Sequence, residues 1–281
     1  MNKHQRGFTL IELIIVMIVT SIVVVMISAI ISRPLTGYFD TQRRADLADR
    51  GQAAINRMAI ELEDSVPNSV RIIGTVTDTS IEFMPVLDAG RYRSTGAGKL
   101  IEKNNSNSEF YTMTSLTSLP IKTFSDTRIV VAPKNYYVDA TSSVPDSVSD
   151  KITITITTPT DSNRGANLIE LLPYPTFAGG SPSKRFYLAK DAVTYHCDLT
   201  TKTLMRYQGY TLAAAQPNTV ALLTTGGGKQ GTLATGVTAC TFSLKAPSAA
   251  ANLPIVIISL EMTADGEKMT LFKEVQLWNA P

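Results

Sequence analysis

The sequence predicts an α+β protein, with one long N-terminal helix packed on an antiparallel, β-rich globular head. Three observations carry this prediction. Leu13 to Ile31 is a run of 19 residues dominated by Ile, Val, Met and Leu, with no charge, Gly or Pro. From Leu35 to Val66 the apolar residues recur at spacings of three and four, the period of an amphipathic helix. From Ser69 onward the period changes to two, the alternation of half-buried strands.

The apolar run is long enough to cross a bilayer as a helix, at about 20 residues per crossing. A helix suits that setting because it satisfies its backbone groups internally. Thr20, Ser21 and Ser28 are its mildest breaks. Lys3 and Arg6 precede it. Such cations stay on the cytoplasmic side, so the bulk of the chain is expected on the far side of the membrane. No small-residue cleavage site follows a short apolar core, which argues against an ordinary cleaved secretory signal. Glu12 stands at the head of the run. A charge there costs about 2.5–3.5 kcal/mol on insertion scales, so it needs a partner or a purpose.

Arg6-Gly7-Phe8-Thr9-Leu10-Ile11-Glu12 resembles the type IV prepilin signature. The resemblance implies a pilin-like fold with a helix that is transmembrane before assembly. It implies cleavage between Gly7 and Phe8 by a prepilin peptidase, N-methylation of the new terminal Phe8, and filament assembly through Glu12. The expected organisation is then a cleaved leader at 1–7, a transmembrane and filament-core half-helix at 8–32, an amphipathic half at 33–66, and a β-rich head at 67–281. The alternative reading of the N-terminus is a plain signal anchor with a chance Glu.

Glu12 also has a physical rationale. Cleavage after Gly7 would leave a cation on the Phe8 nitrogen, about 6 Å along the helix from Glu12. In a stack of subunits the Phe8 nitrogen of one copy could meet Glu12 of the next. Apolar surroundings strengthen that attraction several-fold over water. Each charge offsets the other's desolvation only in the correct register, so Glu12 reads as a register device.

Pro34 and Gly37 are expected to kink or loosen the helix. Beyond them Leu47, Ala48, Gly51, Ile55, Met58, Leu62 and Val66 form the apolar stripe, and Pro67-Asn68 is the expected stop. A continuous rod from Phe8 to Val66 would measure ~88 Å.

The chain has 281 residues and is 44% apolar, enough for one or two domains. Its net charge of +2 falls near zero once Lys3 and Arg6 leave, so no electrostatic nucleic-acid partner is expected. The only cysteines are Cys197 and Cys240. In an exported domain two cysteines most simply form one disulfide, the alternative being two buried thiols.

Expected strands in the head include Ser69–Ile73, Ile81–Val86, Arg128–Val131, Lys151–Thr157, Leu168–Leu172, Lys184–Lys190, Val193–Cys197, Leu204–Tyr207, Val220–Thr224, Val237–Leu244, Ile255–Met262 and Met269–Leu277. Thr263-Ala264-Asp265-Gly266 reads as a hairpin turn. The polar stretches 94–108, 139–150, 225–236 and 246–252 read as loops. The head is long for a pilin, so a second subdomain is possible within it.

The inventory argues against an enzyme, and no catalytic residue, cofactor or metal is implied. His4 lies in the leader. His196 adjoins Cys197 on a strand, where neighbours face opposite ways and cannot form a catalytic pair. Gly96-Ala97-Gly98-Lys99 lacks the first glycine and the final hydroxyl of a phosphate loop. Asp139, Asp146 and Asp150 match no standard calcium spacing. Trp278 could stack on a sugar, but packing is the simpler role.

Further patches are similar to minor pilins of the MshO type, from the mannose-sensitive haemagglutinin (MSHA) pilus. They are Val66–Arg71, Asp88–Arg93, Val193–Cys197, Leu204–Tyr210, Ala239–Ser243 and Gly266–Phe272 through Asn279–Pro281. The resemblance implies a low-copy subunit that helps start a surface pilus, sits at or near its tip and contributes to attachment. Its implied partners are the major pilin, sibling minor pilins, the prepilin peptidase/N-methyltransferase and the inner-membrane assembly platform. Its implied location is the inner membrane, single-pass with a periplasmic head, and then the extracellular pilus. Two alternatives stay open: a minor pseudopilin of a type II secretion system, and a carbohydrate-binding tip adhesin.

Overall fold

The structure is a computed structural model. It describes residues 9–99, 108–116, 123–131, 137, 148–160, 164–175, 177, 179–246 and 253–277, with backbone alone at 29 and 31–36. Helix α1 runs unbroken through Leu10–Glu63, 54 residues or ~81 Å, continuing past Pro34 and Gly37. Its stripe is the expected one. Leu47, Gly51, Ile55, Met58 and Leu62 are buried, joined by Ala54 and Ala59.

The helix stops at Glu63, short of the expected Pro67. There β-type pairing displaces the helical bonds. The Val66 N–H donates to Met84 O (2.8 Å), the Val86 N–H donates to Asp64 O (2.8 Å), and Ser65 bridges Pro85.

The head has two parts. The first combines a five-stranded and a three-stranded antiparallel sheet. The five-stranded sheet holds β1 (Arg71–Gly74), β2 (Asp78–Phe83), β9 (Val193–Asp198), β10 (Thr203–Gln208) and β11 (Lys229–Thr235), in that spatial order. The three-stranded sheet is β12 (Val237–Lys245), β13 (Ile255–Ala264) and β14 (Glu267–Gln276). The stripe of α1 lies on β14 and β13. Ile55, Met58 and Leu62 share a core with Ile81, Tyr195, Leu204, Ile258 and Leu260, so one apolar layer joins the helix to both sheets. The β13–β14 turn has Asp265 at φ 50° and Gly266 at φ 86°, the two positive values that a tight hairpin turn uses.

The second part is inserted between β2 and β9. It comprises β3 (Val86–Arg91), β4 (Glu109–Thr112), β5 (Thr123–Val131), β6 (Ile152–Thr157), β7 (Asn167–Leu172) and β8 (Arg185–Ala189), in spatial order β3-β8-β5-β6-β7-β4. Its two outer strands meet. Tyr92 bridges Thr112, the Met113 N–H donates to Arg91 O (2.7 Å) and the Arg93 N–H donates to Tyr111 O (3.0 Å). The sheet therefore closes into a small barrel. Alternate residues fill it, including Ile129, Val131, Ile152, Ile154, Phe186 and Leu188. The Ile-Thr alternation of β6 puts every Ile inside and leaves every Thr half-buried.

The barrel grows out of the first part as a continuation of two strands. Phe83 pairs with Val193, and Val86 then pairs with Ala189. A separate apolar cluster seals this junction, with Val66, Met84, Val130, Tyr187, Tyr207 and Leu223 among its members. The barrel is thus rooted at the end of α1 opposite the apolar run.

Two strand expectations and one loop expectation are corrected. Val220–Thr224 is a short helix, α2. The Thr219 hydroxyl accepts the Leu222 N–H, the Thr224 and Thr225 hydroxyls return to Val220 O and Ala221 O, and Leu223 alone is buried. Within the expected loop 225–236 lies strand β11, an edge strand in which only Ala234 is buried, so it carries no alternation to read. The expected strand Ile81–Val86 divides at Met84-Pro85, where the chain passes from sheet to barrel. Of the other expected loops, most of 139–150 and part of 94–108 and 246–252 lie outside the described residues.

Candidate functional site

Two places carry functional geometry. The first is the start of α1. Thr9 is its N-cap, and Glu12 closes a reciprocal capping box. The Thr9 N–H and hydroxyl donate to Glu12 Oε2 at 3.0 and 3.2 Å, and the Glu12 N–H donates to Thr9 Oγ1 at 3.3 Å. The Glu12 carboxylate therefore faces the N-terminal end of the helix. Gly7 and Phe8 lie outside the described residues.

Behind this cap, Leu10–Ser28 is long and apolar enough to cross a membrane, and none of it is buried by the rest of the chain. Two of its hydroxyls bond back to the helix. Thr20 Oγ1 donates to Val16 O (2.7 Å) and Ser21 Oγ donates to Ile18 O (2.8 Å). Back-bonding of this kind lets a polar side chain sit in an apolar setting.

The second place is a cleft of about 730 Å³ between the barrel and the helix-bearing part. Its floor is Pro85, Leu87 and Val193. Lys190 and the β5 segment Phe124–Thr127 stand on one wall, and Arg206, Gln208 and Lys229 on the other. No periodicity marked these residues, because the seating of the barrel on the helix-bearing part brings them together.

The remaining candidates have structural roles. Cys197 and Cys240 form a disulfide that ties β9 to β12, joining the two sheets of the first part. His196 points to the other face of β9, where its Nδ1 lies 2.8 Å from the Ser80 hydroxyl. Burial lowers its proton affinity, against a smaller upward pull from Asp78 and Asp198. Nearby, Glu82 is fully buried and held by Arg71 at 2.5 Å and by the Tyr210 hydroxyl at 2.7 Å. Burial raises its proton affinity, and Arg71 partly reverses that.

Gly98 seats the ring of Tyr111, whose N–H donates to Gly98 O (2.9 Å), so this glycine-rich segment braces β4. Asp150 is exposed, while Asp139, Asp146, His4 and Trp278 lie outside the described residues. Among the described residues no three of His, Cys, Asp and Glu gather as a metal site would require.

Residues 2–28 match the family model for the prokaryotic N-terminal methylation motif. No curated protein and no solved structure matches the chain. The matched motif, the apolar helix behind it and the antiparallel β-rich head together support a type IV pilin-like, membrane-anchored protein.

Proposed function

We propose that this chain is a minor pilin of an MSHA-like type IV pilus, helping to initiate assembly from a position at or near the tip and contributing to surface attachment. In this reading Gly7–Phe8 is the bond cut by the prepilin peptidase and Phe8 is then N-methylated. The N-terminal half of α1 enters the filament core beside the major pilin and sibling minor pilins, after handling by the inner-membrane assembly platform. Glu12 sets the register against a neighbour's N-terminus.

The observation that carries the tip position is the root of the barrel. It joins the head at Asp64–Val66, the end of α1 away from the apolar run. In a stack of parallel helices, a second subdomain there occupies the space where the next head along the axis would sit. A terminal subunit has no such neighbour.

Immunogold electron microscopy with antibody against residues 67–281 tests this. Gold at one end of extracellular fibres is the expected result. Gold along the whole fibre would overturn the terminal position. Label confined to the envelope of fibre-bearing cells would favour the secretion pseudopilin.

A further inference from the structure

The cleft between barrel and helix-bearing part is unused by the N-terminal motif. We infer that it binds an acidic oligosaccharide, a short chain of carboxylated sugars. This inference rests on the attachment reading above and gives it a ligand class.

The size and place fit a ligand. About 730 Å³ falls within the ~300–1,000 Å³ typical of binding sites, which concentrate at domain boundaries. The cleft also extends. A smaller hollow of about 150 Å³ adjoins it, sharing Arg206, Gln208 and Lys229 and lined also by Arg57 and Thr232. Two adjoining hollows suit a linear chain of several rings better than one compact molecule.

The charges divide into engaged and available groups. Glu61 accepts from Arg206 at 2.9 Å and from Arg57 at 3.3 Å. Asp191 pairs with Lys151 at 2.5 Å and with Arg128 at 3.7 Å. These pairs stiffen the two walls. Lys190 and Lys229 are exposed and have no ion pair among the described residues. Asp126 is the one lining carboxylate in the same condition. Two available ammonium groups against one carboxylate leave the cleft a net attractor of anions.

The remaining lining groups point to sugar. The backbone of β5 bulges between Phe124 and Thr127, leaving Asp126 at φ 53° in the left-handed region on the cleft wall. Bulges re-aim side chains and recur beside binding sites. Gln208 accepts from Arg206 Nη1 through its amide oxygen at 2.6 Å, so its amide nitrogen remains a donor. Leu87 and Pro85 supply an apolar floor. A pyranose ring matches that set. Its C–H face lies on the floor, its hydroxyls meet Asp126 and Gln208, and a ring carboxylate meets Lys190 or Lys229 through a charge-assisted bond.

The test uses the full-length protein in detergent micelles and isothermal titration calorimetry. The probes are tetragalacturonate, maltotetraose as its neutral counterpart, and a single-stranded tetranucleotide as a non-sugar anion. The double variant Lys190→Gln, Lys229→Gln changes exposed side chains only. Lys245→Gln, on β12, is the control. Tetragalacturonate is expected to bind about tenfold or more tightly than either other probe, and the double variant to lose about tenfold while the control does not. No binding of tetragalacturonate, undiminished binding by the double variant, or equal binding of the tetranucleotide would each overturn the inference. Because binding is read on the purified chain and filament position by immunogold, either reading can fail without the other.

Discussion

Gly51 of α1 lies directly against Leu271 of β14, with no room between them: a Cβ on Gly51 would overlap Leu271 Cδ1 and come within 3.1 Å of Met262 Sδ. Glycine at this point lets the helix axis approach the sheet. Gly51→Val is therefore expected to lower unfolding free energy by about 1–3 kcal/mol through overpacking. Gly37 lies on the same helix with nothing within 4 Å of its Cβ position. Gly37→Ala should instead gain up to ~1 kcal/mol of helix propensity. Denaturant titration of both variants in micelles checks the opposite signs.

The Cys197–Cys240 bond spans a sequence separation of 43 residues. Closing a loop of that length stabilises by about 4 kcal/mol in the chain-entropy model. Cys197→Ser with Cys240→Ser is expected to lose most of that, since the bond is the covalent cross-link between β9 and β12. Urea unfolding of the double variant measures it. A loss below ~1 kcal/mol would mean that the reduced chain already holds the sheets together.

His196 should give the stability a pH dependence. Its folded-state proton affinity is lowered by burial from an ordinary value of 6.5. The unfolded chain then binds the proton more readily, so this contribution is complete above pH 6.5 and is lost as pH falls below it. Glu82 has the opposite sign. Its affinity is raised from an ordinary 4.5, so its contribution weakens as pH rises above that value. Thermal unfolding between pH 7.5 and 5 should therefore fall less steeply for His196→Asn than for wild type, and more steeply for Glu82→Gln.

Glu12 can be dissected with two substitutions. Glu12→Ala removes both the charge and the capping box, whereas Glu12→Gln keeps hydrogen bonds to Thr9 and removes only the charge. If the carboxylate meets a neighbour's cationic N-terminus, both variants should be processed normally and both should be depleted from sheared filaments. Immunoblots of envelope and filament fractions read this. Normal incorporation of Glu12→Gln would reduce the role of Glu12 to helix capping.

What the sequence determined by itself is what depends on near neighbours along the chain. The Gly7–Glu12 motif and the apolar run behind it are contiguous. The stripe from Leu47 to Leu62 follows the helical period, β6 and β13 alternate plainly, and Asp265-Gly266 marks its own turn. Local spacing suffices for each, because each buries one face against whatever lies there. Even the disulfide was legible, since two cysteines leave a single possible pair. The tertiary structure decided the rest. The pairing of Tyr92 with Thr112 closes the barrel, and it joins segments whose own periodicity says nothing of a partner. Strand β11 exists because β10 offers an edge, and α2 because one buried Leu223 and a run of threonine hydroxyls outweigh its β-prone composition. The cleft depends on the barrel and on the pairing of β11 with β10. Lys190 and Lys229 are far apart in the sequence and come to line one cleft only when the barrel is seated on its root. Contacts between residues far apart in the chain supply that energy, and short-range pattern carries no record of them.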